Sequence, residues 1–415
     1  MKKIFSAFIN VIVTLFYLLL GAVISLFTAL IDIVRSIFAP AGSAESGSNE
    51  DPDLKENRVV KIIALCAVLA LLFAGIFYLV KNKDKGEPEP TYVTHTTAWY
   101  DYFNTRIIIS TYGETTKEEF DNYANVAKEM FAYYHKLFDI YYGYSGVNNI
   151  NDINKKAGTA PVEVDEELID FLEYCKELYT ITDGKTNIML GSVLKIWHDT
   201  REDADFNGGY LDEEMLPTAE VLAEAAKHVS IDSLVIDREA KTVYISDPAA
   251  SIDVGAIAKG YAAQKVADKL KSMGANSMAI NAGGNIVTIG TRPDGDNWIV
   301  GITNPDKTAE ETLKCRVEIG EIALVTSGDY ERYFVSGGKR YHHITDPETL
   351  MPADYFASVS IFTSNSGLAD ALSTALFCMS YEDGLALVQE LGGIDVLWIY
   401  HDGTMKMTDG IKIVN

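Results

Sequence analysis

The stretch SIDVGAIAKGYAAQKV, Ser251 to Val266, joins an Asp-Val-Gly turn to the start of a helix built from small residues. Its pattern predicts a helix from Ala256 to Met273, with Lys259 in the first turn. The free N–H groups and positive dipole end of a helix start favour a bound anion. The alternative is local, with Asp253 as the N-cap and Lys259 in solvent. The spacing matches neither a P-loop nor a Gly-x-Gly-x-x-Gly fingerprint.

Two further segments favour a ligand site. INAGGNIVTIG, residues 280–290, has a Gly-Gly pair at a strand end, where the backbone can approach a ligand closely. Residues 323–354 bring a Thr-Ser-Gly loop, the adjacent His342 and His343, and an Asp346-Pro347 turn into one short region. A single histidine is more often structural than catalytic, but this combination predicts a functional site.

The segment NSGLADALSTALFCM, residues 365–379, suggests a metal site. Asp370 and Thr374 are spaced i, i+4 on a predicted helix, so that both side chains project from the same face. One carboxylate and one hydroxyl suit magnesium, which keeps waters and completes its shell with substrate phosphates. The alternative is that Asp370 is solvated and Thr374 bonds to a carbonyl of its own helix.

The remaining pattern predicts an α+β fold with largely antiparallel sheets flanked by helices. Apolar residues recur at the helical period from Lys117 to Phe138, and a second helix is predicted from about Gly367 to Met379. Leu234–Ile236 and Thr242–Ile245 read as a hairpin. Strands occur as hairpins more often than as strand-helix-strand units, which disfavours a doubly wound parallel sheet.

Composition excludes some functions. The 415 residues include 59 Asp and Glu against 35 Lys and Arg, giving a formal net charge of −24. A nucleic-acid partner would need a basic face, so none is expected, although a single nucleotide held by local donors and a metal remains compatible. The four cysteines are scattered and indicate neither a zinc site nor a disulfide framework.

The N-terminal quarter predicts a membrane anchor. Residues 1–38 form an apolar membrane-associated segment, either one tilted span with an interfacial extension or a hairpin bent near Gly21. An acidic loop follows at 39–61. Residues 62–80 form a 19-residue apolar run that predicts a transmembrane helix. A linker at 81–96 then leads to a globular domain at 97–415.

Six ordered blocks of this chain resemble the ApbE family, the FAD:protein FMN transferases. The resemblance runs from about Phe103 to the C-terminus and rests on these blocks: TDGKTNIMLGSVLKIWHD, IDVGAIAKGYAAQKV, NAGGNIVTIG, TSGDYERYF, HHITDP and ADALSTALF. It implies an enzyme that uses FAD as substrate and Mg²⁺ as cofactor. Such an enzyme links FMN by a phosphoester to a Thr or Ser of an acceptor flavoprotein and releases AMP.

The resemblance also implies roles for individual residues. His343 becomes the catalytic base, and the Mg²⁺ ligands become Asp370, Thr374 and the carbonyl of Ala256. The FAD contacts fall on Phe103, Tyr141, Lys185, Thr186, Asn187, Asp253, Lys259 and Thr345. The chain departs from the family pattern at Phe103-Asn104, where Met-Gly is usual, at Lys185-Thr186-Asn187, and at Leu350, where a glycine is usual.

Three matters stay open at this level. An FAD pyrophosphatase that uses water as acceptor, and a flavin-binding carrier without chemistry, are alternatives to the transferase. Asp183-Gly184-Lys185-Thr186 matches the start of a flavin acceptor motif, but the next residues fail, so the acceptor is expected to be a separate protein. Positive residues around the two apolar runs are distributed almost evenly and give no clear orientation. The resemblance favours a cell-membrane protein with an extracytoplasmic catalytic domain.

Overall fold

A computed structural model describes residues 94–414 of the chain. Its helices are α1 Lys117–Phe138, α2 Ile150–Lys155, α3 Glu166–Ile181, α4 Gly191–Phe206, α5 Ala219–Ala225, α6 Ala258–Ser272, α7 Ser366–Phe377 and α8 Tyr381–Leu391. Its strands are β1 His95–Tyr102, β2 Thr105–Thr111, β3 Val162–Glu163, β4 Leu234–Asp237, β5 Thr242–Ile245, β6 Ser277–Ala282, β7 Asn285–Gly290, β8 Trp298–Thr303, β9 Leu313–Ile319, β10 Ala323–Gly328, β11 Tyr333–Ser336, β12 Lys339–His342, β13 Ser358–Thr363, β14 Asp395–Ile399, β15 Met405–Met407 and β16 Lys412–Val414.

The main sheet has eight strands in the order β1-β2-β6-β7-β10-β13-β14-β15. Two three-stranded sheets, β16-β9-β8 and β3-β5-β4, and the hairpin β11-β12 complete the strand pairing of the described residues. Every paired strand is antiparallel to its neighbour. The predicted α+β class with antiparallel sheets is therefore confirmed for residues 94–414.

Helices α6 and α7 lie against each other and position the site. The buried residues of α6 include four alanines and Gly260, and an added Cβ at Gly260 would lie 2.2 Å from the carbonyl oxygen of Ser366. Only glycine allows this approach. Helix α7 also packs on β10 and β13, and α1 packs on α6, so the helix pair is held between the main sheet and α1. The close approach brings the start of α6 beside Asp370 on α7.

Most element predictions are confirmed, with three corrections. Helix α6 begins at Ala258 after an Ile257 that has no side-chain cap, so Asp253 is not its N-cap. Asp253 instead accepts the N–H of Gly255 at 2.8 Å and shapes the turn before the helix. Thr326-Ser327-Gly328 is the end of β10 rather than a loop, because these residues pair in register with Ser358–Ser360 of β13.

The turn that lacks the family glycine keeps the backbone shape that glycine would allow. Leu350 has φ +62°, its N–H donates to the Asp346 carbonyl at 2.8 Å, and its own carbonyl accepts the Trp197 indole N–H at 2.8 Å. A left-handed leucine costs of the order of 1–2 kcal/mol. These hydrogen bonds hold the turn despite that cost.

The predicted membrane segments at 1–38 and 62–80, the acidic loop at 39–61, and most of the linker at 81–96 lie outside the described residues. Between residues 94 and 414, no helix has both the length and the apolar character needed to cross a bilayer.

Candidate active site

One large cavity collects the predicted site residues. It has a volume of about 790 Å³, and its walls come from α1, α4, α6, α7, the ends of β6, β7 and β10, and the loops after β1 and β12. All twelve predicted positions line it, namely Phe103, Tyr141, Lys185, Thr186, Asn187, Asp253, Ala256, Lys259, His343, Thr345, Asp370 and Thr374. The fold thus brings together segments that are far apart in sequence.

Asp370 is buried at 3 % exposure at the contact of α6 and α7. Its Oδ2 accepts the backbone N–H of Gly260 at 2.8 Å, and the Lys259 ammonium lies 3.5 Å from both carboxylate oxygens. Burial raises the pKa of Asp370, while Lys259 and the Gly260 N–H act in the opposite direction. A solvated surface carboxylate, the local alternative, is therefore excluded.

The donor groups near Asp370 fit a hard cation such as Mg²⁺. Because the Gly260 N–H turns to Asp370, the carbonyl of Ala256, four residues earlier, accepts no hydrogen bond within residues 94–414. The Thr374 hydroxyl, one turn from Asp370 on α7, likewise forms none among the described residues. A buried carboxylate, an unpaired carbonyl and an unpaired hydroxyl on one cavity wall are the oxygen ligands that Mg²⁺ prefers.

The turn before α6 is tied to a second segment of the cavity. The N–H of Asp253 donates to the carbonyl of Ile188 at 2.7 Å, next to the Lys185–Asn187 stretch. Burial raises the pKa of the Asp253 carboxyl, whereas the Gly255 N–H and the positive charges of Arg332 and Lys259 lower it. The carboxylate therefore lies among positive charges.

The two adjacent histidines have different surroundings. His342 is buried, accepts the Ile344 N–H on Nδ1 at 3.2 Å and places Nε2 2.7 Å from the Ala353 carbonyl, which identifies Nε2 as the protonated nitrogen. His343 faces the cavity and is accessible there. Enclosure by the cavity walls and the positive charge of Arg332 lower the pKa of His343. The lowered pKa favours the neutral imidazole, the form that can accept a proton.

Asp346, a second conceivable base in the same turn, does not line the cavity. It is 2 % exposed, and its carboxylate pairs with the Lys185 ammonium at 3.2 Å. Lys185 also pairs with Glu348 at 3.0 Å. These ion pairs tie the Lys185 segment to the turn that carries His343.

Thr186 and Asn187 use their side chains within the fold. The Thr186 hydroxyl donates to the Ala371 carbonyl at 2.7 Å, and the residue is 1 % exposed. The Asn187 amide donates to the Val229 carbonyl and accepts the Met189 N–H, both at 2.9 Å. The buried, bonded hydroxyl of Thr186 also agrees with the dismissal of Asp183–Thr186 as a flavin acceptor motif.

Two aromatic residues, Phe103 and Tyr141, and two polar residues, Asn104 and Thr345, also line the cavity. Phe103 and Asn104 have φ values of +55° and +48°, which explains why a glycine suits the second position. Tyr141 is 51 % exposed, and its ring lies 5.4 Å from the His198 ring. Thr345 is buried, and its hydroxyl has no hydrogen-bond partner in the described part of the chain, so a bound ligand would supply one.

Sequence reasoning did not select several polar residues of the cavity wall. His198 lies inside the TDGKTNIMLGSVLKIWHD block, and Arg201, three residues later on α4, lies just after it. Arg332 lies in the TSGDYERYF block. Asn285, 1 % exposed, follows the Gly-Gly pair, and its side-chain amide faces Asp370 and lowers the pKa of that carboxyl. For His198 and Arg201, the i, i+3 spacing on a predicted helix was the sequence feature that could have identified them.

Comparison with known proteins gives one consistent result. The model of the ApbE family matches residues 103–398. The chain is 35 % identical over 274 residues to the FAD:protein FMN transferase of Treponema pallidum, covering 62 % of this chain and 72 % of that protein. It is 30 % identical over 253 residues to that of Klebsiella pneumoniae, covering 61 % and 75 %. The crystal structure of the ApbE protein of Thermotoga maritima superimposes with a TM-score of 0.65 at 28 % identity, covering 77 % of this chain and 97 % of that one.

Proposed function

This chain belongs to the ApbE family, and on that premise we propose that it is an FAD:protein FMN transferase that uses Mg²⁺. FMN from FAD would be joined through a phosphoester to a Thr or Ser hydroxyl of an acceptor flavoprotein. The observation that carries the proposal is the convergence of a buried carboxylate, a lysine and a neutral, accessible histidine on one cavity large enough for a nucleotide.

The reaction needs one bond to form and one to break. The acceptor oxygen bonds to the phosphorus on the FMN side of the diphosphate, and the bond from that phosphorus to the bridging oxygen breaks. AMP leaves with that oxygen and its electron pair, while the hydroxyl proton passes to the imidazole of His343. Holding the hydroxyl and the phosphorus in near-attack geometry is the second contribution of the cavity.

The neutral state of His343 supports its role as the proton acceptor. Burial, followed by the positive charges of Arg332, Arg201 and Lys259, lowers the pKa of His343 and favours the neutral imidazole in the ligand-free protein. The negative charge of the FAD diphosphate would offset those cations and raise the basicity of the imidazole. The base would thus gain strength when the substrate arrives.

Asp370, Thr374 and the Ala256 carbonyl would hold the Mg²⁺ ion. When bound, Mg²⁺ supplies positive charge that offsets the charge developing on the phosphate oxygens. Lys259 lies beside Asp370 and would contribute to the same stabilisation.

The decisive experiment incubates the protein with FAD and Mg²⁺, with and without an acceptor domain that carries a threonine-bearing flavinylation site. Covalent flavin on the acceptor together with AMP, and little FMN without acceptor, is the expected outcome. FMN and AMP formed equally well without acceptor would instead indicate a pyrophosphatase. Unchanged FAD in both reactions would indicate a carrier.

We also propose that residues 62–80 anchor the protein in the cell membrane with the catalytic domain outside the cytoplasm. The apolar run and the family's usual exported acceptors support this placement. Protease added to intact cells or spheroplasts should digest the region beyond Lys85. Protection of that region until lysis would contradict the proposal.

A further inference from the structure

Three arginines line the cavity without a carboxylate partner among the described residues, namely Arg106, Arg201 and Arg332. Arg106 lies over the Tyr100 ring, 5.9 Å from its centroid, which leaves Arg201 and Arg332 to be explained. Arg201 projects from α4 and Arg332 from the turn between β10 and β11. Arg332 donates through Nη2 to the Asn104 carbonyl at 3.2 Å, while the Arg201 guanidinium has no hydrogen bond or ion pair within residues 94–414. Arg238, outside the cavity, shows the usual arrangement, with Asp170 at 2.6 Å.

The surroundings of Arg201 make an unpaired guanidinium energetically unfavourable in the ligand-free protein. The residue is partly buried, and burial followed by the charge of Arg332 lowers its pKa. Glu202 and Asp205 act in the opposite direction, but neither reaches ion-pair distance. In a chain of net charge −24, carboxylates are abundant. Two neighbouring guanidiniums left without one in a cavity therefore indicate a site for an external anion.

The position of the two arginines indicates which anion binds. Arg332, Arg201 and Lys259 line the same cavity as His343, and their positive charges act on its imidazole. The Arg332 carbonyl also accepts the His343 N–H at 3.1 Å, which couples the position of the two residues. The phosphorus under attack must lie beside the base, so the group among these cations is the diphosphate.

We propose that Arg201 and Arg332 form a clamp that binds the diphosphate oxygens of FAD. The inference rests on the proposed function, because it takes FAD as the ligand. A planar guanidinium presents paired N–H donors that match phosphate oxygens, which a lysine ammonium does not. Arg201 is the sharper test because, lacking a partner in the ligand-free protein, it can be replaced without breaking an internal contact.

The test measures binding to the full-length protein in EDTA, so that no metal contributes. Arg201→Gln and Arg201→Lys are compared with Lys195→Gln, which removes a charge from the outer surface of the same helix. FAD, ADP and riboflavin serve as probes, and calorimetry or flavin fluorescence gives the dissociation constants. Arg201→Gln should weaken the binding of FAD and of ADP by roughly tenfold or more, as expected for a lost hydrogen bond to a charged group. Riboflavin affinity and the Lys195 variant should stay unchanged.

The FAD affinity of Arg201→Lys should fall between that of the wild type and that of Arg201→Gln. If the glutamine variant does not fold, the FAD affinity of the lysine variant is the test of the clamp. Three results would overturn the clamp: unchanged FAD and ADP affinity, an equal loss for riboflavin, or a raised acceptor KM with normal FAD affinity. The last result would assign the arginines to an acidic group of the acceptor. A wild-type protein that binds FAD but transfers nothing would count against the proposed function and leave the clamp standing.

Discussion

The ammonium of Lys259 lies 3.5 Å from both carboxylate oxygens of Asp370. Among the described residues, no other lysine or arginine lies within ion-pair distance of this buried carboxylate. In the absence of another cation, Lys259 alone therefore balances its charge. The same carboxylate is the only side-chain carboxylate proposed for the metal. Lys259 and the proposed metal would therefore compete for Asp370 until the FAD diphosphate gave the lysine another partner.

Lys259→Met should tighten metal binding in the absence of FAD. Removing one positive charge at this distance should raise the affinity for Mn²⁺, used as a spectroscopic substitute for Mg²⁺, by about tenfold or more. Lys265→Met is the matched control, because Lys265 lies on the same helix but pairs with Glu167 at 2.9 Å. Weaker Mn²⁺ binding in the Lys259 variant would show that the lysine supports the metal site instead of competing with it.

Asp370→Ala should abolish transfer. The substitution leaves one hydroxyl and one carbonyl as metal ligands and removes the acceptor of the Gly260 N–H. The activity assay with acceptor, FAD and Mg²⁺ measures the effect, and a Mg²⁺ titration followed by thermal unfolding measures metal binding directly. Full activity at ordinary Mg²⁺ concentration would refute Asp370 as a ligand.

Asp370→Asn should stabilise the metal-free protein at neutral pH. Burial raises the pKa of Asp370 above its unfolded value of 3.8. As pH rises from 3.8 through the raised folded pKa, the unfolded chain releases this proton first, so the wild type loses stability across that window. The Tm of Asp370→Asn in EDTA should exceed that of the wild type at pH 7, and the difference should shrink towards pH 4. A lower Tm for the variant at pH 7 would mean that the Lys259 pair outweighs burial.

His343→Ala should lower turnover by about 10²–10⁴-fold, the usual effect of losing a general base. FAD affinity should change little, because the imidazole is neutral in the ligand-free protein. His228→Ala is the control, since His228 pairs with Asp247 and does not line the cavity. A collapse of FAD affinity with normal turnover of bound FAD would make His343 a binding residue. The base would then be sought at Asp253, because Asp346 is tied to Lys185 away from the cavity.

Gly260→Ala should destabilise the fold and disable the metal site together. The added Cβ would lie 2.2 Å from the Ser366 carbonyl oxygen and 2.6 Å from the Asp370 Cβ, so that α6 and α7 must separate. Overpacking of this kind costs about 1–3 kcal/mol. Gly384→Ala is the matched control, because its new Cβ would lie 2.8 Å from the end of the Leu376 side chain, which can move, and at ordinary contact distance, 3.7 Å, from the Trp398 ring. Equal changes in Tm for the two variants would contradict this account of the α6–α7 contact.

Local patterns were enough to predict most of the elements, whereas the resemblance to the ApbE family supplied most of the candidate residues. The helical period from Lys117 to Phe138 and the turn at residues 237–241 depend on neighbours a few positions away, which the sequence displays directly. The ordered motif blocks of the sequence also contain Asp370 and His343. Where a family glycine is absent, as at Leu350, the tertiary hydrogen bonds preserve the turn, a result that local propensity alone does not predict.

Only the tertiary structure revealed how the charges of the site are paired. Lys259 and Asp370 are 111 residues apart, and Arg201 and Arg332 come from elements on either side of α6 in the sequence. Distances through space and burial decide whether a lysine neutralises a buried carboxylate. They also decide whether an arginine lacks a partner or a histidine is held neutral. Coulomb energies and desolvation act over those distances regardless of chain separation, so spacing along the sequence cannot predict them.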